Sequence, residues 1–138
     1  MNKSYNTKNF DAIRIRFELS NNLGFIPLYT KVFLDLQNGI NSNDPIFTTP
    51  MHLTDASIPL TPMFKHNKGL LFFETYISFK SLNTLPNAVI MEKAKKLIFK
   101  YHIEDPSGAN QEFNTYDFGP TIIKNKELIY FVALIDLI

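Results

Sequence analysis

The sequence predicts a mostly β fold, an antiparallel β-sandwich or barrel of six to eight strands with one short helix near residues 88–96. Three observations lead there. Apolar and polar residues alternate with a period of two in several stretches, and turn-forming residues separate those stretches at roughly even spacing. The alternation of strand and helix patterns that marks a parallel sheet is missing.

In chain order, the first element is FDAIRIRFELS, where Ile13, Ile15, Phe17 and Leu19 alternate with Arg14, Arg16 and Glu18. Such a strand has one apolar face for a core and one charged face for water or for carboxylates on a neighbour. NNLG ends it with turn formers. FIPLYTKVFLDLQNG fits two readings. Leu28, Val32 and Leu36 recur at helical spacing, yet Val32, Leu34 and Leu36 also alternate with Lys31, Phe33 and Asp35 among strand formers. The strand is preferred because its surroundings are β.

From about 40 to 66 the chain changes character, with Pro45, Pro50, Pro59 and Pro62 among many Thr, Ser and Asn. Proline lacks an N–H and disfavours helix in its predecessor, so this arm holds only short edge strands or extended segments. Long irregular segments tend to contact something, and a plain crossover on the domain surface is the competing reading.

LLFFETYISFKSL then places Leu71, Phe73, Thr75, Ile77 and Phe79 on one face and Phe72, Glu74, Tyr76 and Lys80 on the other, a long strand with aromatics on both sides. Ile90, Met91, Ala94, Leu97 and Ile98 have helical spacing, with Asn87 as N-cap and Glu92 and Lys96 as an i,i+4 pair. The helix hands over to a strand near Lys96. EDPSG is a type I turn signal, followed by a less apolar strand in NQEFNTYDFG, then TIIK and a turn at NKE. The closing ELIYFVALIDLI is apolar on both faces, as in a central strand covered on both sides. Its Asp136 marks where the strand emerges, and a buried Asp136 would take Arg14, Arg16 or another chain as partner.

Composition sets the remaining bounds. The 138 residues fit one domain, 1–138, large enough for a real core. An apolar fraction of 45% with 13 Phe and 6 Tyr excludes a disordered chain. A formal charge of +1 gives no bulk reason to expect nucleic acid or an anionic membrane. The absence of cysteine excludes disulfides and thiolate metal sites and leans toward a cytoplasmic setting. MNKSYNTKNFD has no apolar stretch behind its lysines, unlike a secretory signal. The longest apolar run, Leu128 to Ile138, is 11 residues, against the ~20 of a spanning helix. The 12 Lys to 2 Arg, 15 Ile and 14 Asn are what an A/T-rich coding sequence produces, as in many bacteria and their viruses and in some parasites.

Motifs for chemistry are weak. His52, His66 and His102 lack the short spacings of a zinc site, and no nucleophile motif or glycine-rich phosphate loop occurs. The carboxylate pairs Glu104 with Asp105 and Glu112 with Asp117 are candidates for glycoside hydrolysis, and are read first as solvated turn acceptors. The basic cluster Lys93, Lys95, Lys96 and Lys100 allows at most nonspecific nucleic-acid contact and is read as a solvated helix face. No cofactor, metal or catalytic residue is expected.

The expected function is therefore a non-enzymatic structural subunit of a large assembly, with copies of itself and other structural proteins as partners and no membrane contact. The setting that fits is a tailed-bacteriophage virion, assembled in the host cytoplasm, as a neck or tail ring protein or an auxiliary capsid protein. The expected interface residues are Ile46, Phe47, Met51, Ile58, Leu60 and Met63 of the arm with Phe72 and Tyr76. One alternative is a carbohydrate-binding or adhesion β-sandwich using Tyr101, Tyr116 or Phe118 as platforms. A second is a small β-barrel hydrolase with a pocket at His52, Asp55 or His66.

Overall fold

The computed structural model describes residues 3–7, 12–20, 24–36, 47–49, 55–59, 69–114 and 116–138. Ten strands run along them: β1 (Lys3–Tyr5), β2 (Ala12–Ser20), β3 (Ile26–Leu36), β4 (Phe47–Thr49), β5 (Asp55–Pro59), β6 (Gly69–Ser78), β7 (Ile98–Glu104), β8 (Asn110–Phe113), β9 (Phe118–Ile123) and β10 (Leu128–Leu137). Among them one α-helix, α1 (Asn87–Ala94), lies between β6 and β7, and short 3-10 turns occur at Lys80–Leu82 and Lys124–Lys126. The fold is mostly β, with two sheets in a sandwich-like arrangement, as the alternation predicts.

Ten strands exceed the expected six to eight because β1, β4 and β5 are only three to five residues long. Periodicity over three residues carries no signal. The arm does contain edge strands: β4 lies at the margin of one sheet and β5 at the margin of the other. Residues 28–36 fall inside β3, so the strand reading holds.

The larger sheet runs β1, β10, β6, β3, β4, with β9 also on β10. Every pairing in it is antiparallel except β1 with β10. The smaller sheet runs β5, β2, β7, β8, all antiparallel. β10 is thus interior: β6 borders one side along its full length, while β9 and then β1 share the other. Ile138 is fastened by hydrogen bonds with Tyr5 and Thr7. The expectation that this run is covered on both sides is corrected. Ile129, Phe131, Ala133 and Ile135 are buried, but Tyr130, Val132 and Leu134 are only partly so.

The core fills the space between the sheets. Leu71, Phe73 and Ile77 of β6 and Phe131 of β10 meet Ile13 and Ile15 of β2 and Phe99, Tyr101 and Ile103 of β7. Rings cross the gap: Phe73 stacks on Tyr101 at 5.1 Å and Phe99 meets Phe131 at 4.4 Å. Each large apolar side chain so buried contributes about 1.5–3 kcal/mol, whereas an exposed ion pair contributes ~0–1 kcal/mol, so the core sets the stability. One polar thread passes through it. Tyr101 Oη lies 3.1 Å from Thr75 Oγ1, which lies 3.0 Å from Thr30 Oγ1, so each buried hydroxyl has a partner.

Local departures from expectation have local causes. Pro86, not Asn87, is the N-cap of α1, its carbonyl accepting from the amides of Val89 and Ile90. Glu92 pairs with Lys95 at i,i+3. Asp105 to Gly108 closes as expected for a turn, with Gly108 N 2.9 Å from Asp105 O. Gly119 lies within β9, not at a turn. Its φ of 117° and the 2.9 Å between a built Cβ and Tyr130 O leave room for hydrogen alone.

Candidate functional site

Each sheet turns one face inward, and the two outward faces differ in chemistry. On the larger sheet, strand register sets β3, β6 and β10 residues side by side in three rows: Tyr29, Tyr76 and Tyr130; Lys31, Glu74 and Val132; Phe33, Phe72 and Leu134. All nine are partly exposed. The tyrosine rings lie 4.9 and 5.7 Å apart by centroid, and Lys31 Nζ stands 5.6 Å from the Tyr29 ring and 5.5 Å from the Tyr76 ring. Tyr76 Oη donates to Glu74 Oε2 at 2.9 Å. Burial, together with that hydrogen bond and the nearby carboxylate charge, raises the Tyr76 phenol well above its ordinary value. At the rim, Phe118 pairs with Val132 and is 61% exposed.

The face is apolar because β3, β6 and β10 are apolar on both sides. A sheet with one face in water places polar residues there, so aromatic rows on an outward face mark a surface suited to a partner. A hollow of about 130 Å³ adjoins it, lined by Lys3, Leu70, Asp117, Leu134 and Asp136. Asp136 is thus at this face, while Arg14 and Arg16 lie on the smaller sheet, so that suggested pairing is not made.

The smaller sheet is charged outside. Across β2, β7 and β8 the rows are Arg14, Glu104 and Asn110, then Arg16, His102 and Glu112, with Glu18 beside Lys100. Three carboxylates stand among three permanent cations. His102 is only 7% exposed, its Nε2 3.1 Å from Glu18 Oε2 and its Nδ1 3.7 Å from Glu112 Oε2 without a hydrogen bond. The His102 hydrogen bond draws the Glu18 carboxyl below its ordinary value, desolvation opposes this, and the His102, Arg16 and Lys100 charges add to the lowering. Arg14, Arg16, His102, Glu104 and Asn110 line a hollow of about 120 Å³. Cross-strand charges of alternating sign suit a face in water.

Among the expected interface residues, Phe72 and Tyr76 are on the outward face of the larger sheet. Phe47 and Ile58 fall in β4 and β5, with side chains outside the described set, and Ile46, Met51, Leu60 and Met63 lie outside the described residues. His52 and His66 also lie outside them, and Asp55 is known only as a β5 backbone position.

The carboxylate pairs do not converge as a glycosidase site. Asp105 is 6% exposed and accepts from Ser107 N at 2.8 Å and Ala109 N at 3.3 Å, and from the Ser107 hydroxyl. Asp117 accepts from Lys3 and Leu134 N, whereas Glu112 pairs with Lys100 at 3.8 Å. Tyr101, at 1% exposure, offers no sugar platform, and Tyr116 packs edge-on against Phe99 and Phe131. Only Phe118 of that trio is open. Lys95 and Lys100 are engaged by Glu92 and Glu112.

Among the described residues no three His, Asp or Glu side chains gather as metal ligands, and no helix is long and apolar enough to cross a membrane. No family model, curated protein or solved structure matches the chain.

Sequence reasoning missed Tyr29, Tyr130 and the Glu18 to His102 contact. Their strands carry the signal, but which residues stand abreast depends on register. A slip of one residue exchanges the two faces of a strand.

Proposed function

We propose that this chain is a structural subunit that works by protein–protein contact, with the outward face of the larger sheet as its docking surface. The observation that carries the reading is the contrast between the two outward faces. One bears the tyrosine row and the Phe33, Phe72, Leu134 row, and the other bears the charge lattice of Arg14 to Glu112. A domain that works alone in water gains nothing from leaving these aromatic rows partly exposed, whereas Tyr and Phe are the residues interfaces concentrate. Phe118, open at the rim, extends the same surface.

The setting we propose is a tailed-bacteriophage particle, with the chain as a neck or tail ring protein or an auxiliary capsid protein. It is supported by the Lys-, Ile- and Asn-rich composition, which fits an A/T-rich coding sequence, and by the absence of cysteine. In such a particle, strand edges and the proline-rich arm supply lateral contacts while the aromatic face docks.

Native mass spectrometry tests the reading on the full chain, alone and coexpressed with the products of the genes flanking its own. A species above the 15.9 kDa of one chain is expected, lost when Phe72 and Tyr76 are both changed to Asp. A monomer in every combination contradicts it.

A further inference from the structure

We infer that the occupant of the aromatic face is a second copy of this chain, packed face to face about a twofold axis that runs along the strands between β3 and β6. The inference rests on the assembly reading and adds the partner and its geometry.

Two observations support it. The first is the register of β3 on β6, in which Tyr29 stands beside Tyr76, Lys31 beside Glu74 and Phe33 beside Phe72. A twofold axis between the two strands exchanges them. Near that axis each Lys31 then lies over the partner copy's Glu74, each Tyr29 over its Tyr76 and each Phe33 over its Phe72. The face is complementary to itself in charge and in ring placement, which an isologous contact requires.

The second is the chemical contrast of the two outward faces. Head-to-tail stacking of one chain sets each aromatic face against a neighbour's Arg14, Arg16 and Glu104, leaving charges dry and rings at the end of the stack. A closed pair hides both aromatic faces and leaves both charged faces in water. The pair also leaves the sheet edges free, so it is compatible with lateral contacts in a ring.

Cysteine cross-linking tests the geometry, because the chain has no cysteine of its own. Lys31→Cys and Glu74→Cys chains are made separately, mixed and treated with a short bismaleimide, which spans the ~10 Å between facing sheets, with Glu104→Cys on the charged face as control. Light scattering gives the mass, and circular dichroism shows that each variant is folded. The expected result is a dimer of twice 15.9 kDa, joined by the cross-linker in the mixture of Lys31→Cys and Glu74→Cys and not in Glu104→Cys. Cross-linking through Glu104→Cys, or a dimer linked at neither site, overturns the inference. So does a monomer whose Glu74→Cys thiol is shielded from alkylation by its own chain. A monomer whose face is covered by a different assembly protein overturns this inference and leaves the assembly reading standing. A monomer with an open face and no partner overturns both.

Discussion

Asp117 lends its carboxylate to the backbone of Leu134: Oδ2 lies 2.7 Å from the Leu134 amide nitrogen and 2.6 Å from Lys3 Nζ. β9 pairs with β10 as far as Val132, and β1 begins its pairing at Ile135. The Leu134 N–H therefore faces the gap between two strands that share one border, and a side chain closes it. The Asp117 amide donates to Val132 O at 2.7 Å on the same border.

Asp117→Ala is expected to destabilise the fold by about 1–3 kcal/mol, the range for losing a charge-assisted hydrogen bond. Asp117→Asn, which keeps an acceptor, costs less. Denaturant unfolding measures both, and hydrogen exchange at the Leu134 amide is expected to quicken in the alanine variant.

Tyr101 makes stability fall at alkaline pH. Burial raises its phenol above the ordinary 10, with the Thr75 hydrogen bond partly opposing and the Asp117 charge adding to the rise. A group raised in the folded state contributes stability that is complete below its unfolded value and is lost as pH climbs through and beyond it. Tyr101→Phe is expected to cost about 0.5–1.5 kcal/mol at neutral pH through the lost Thr75 contact, and to lose less than the parent above about pH 10. Unfolding curves at the two pH values check both signs.

Glu18 acts on the acid side. Its carboxyl is lowered by the His102 hydrogen bond, so its contribution is complete above the ordinary carboxylate value and is lost as pH falls below it toward the folded value. Glu18→Gln is expected to flatten the dependence of the melting temperature on pH in that acid window. An unchanged slope contradicts the contact.

Legibility in the sequence followed period. β2, β6 and β10 were readable because their alternation runs for nine or ten residues, and the inward faces of β6 and β10 are buried as that alternation requires, as are Ile13 and Ile15 of β2, with Phe17 and Leu19 partly so. β1 and β4, at three residues, lie below what periodicity resolves. The aromatic face was half legible. Phe72 and Tyr76 stand out within one strand, but Tyr29 and Tyr130 join them through pairings about 50 residues distant in sequence, which local pattern does not encode. Asp117 looked like a solvated carboxylate because its role depends on where two other strands stop.

Hydroxyl-radical footprinting of Tyr29, Tyr76 and Tyr130, read by mass spectrometry in the assembled and dissociated protein, tests the docking surface most directly. The expected result is lower oxidation of this row in the assembled state, with exposed positions outside the face, such as Val89 on α1, unchanged. Equal oxidation of the three tyrosines in both states contradicts the claim that this face meets a partner.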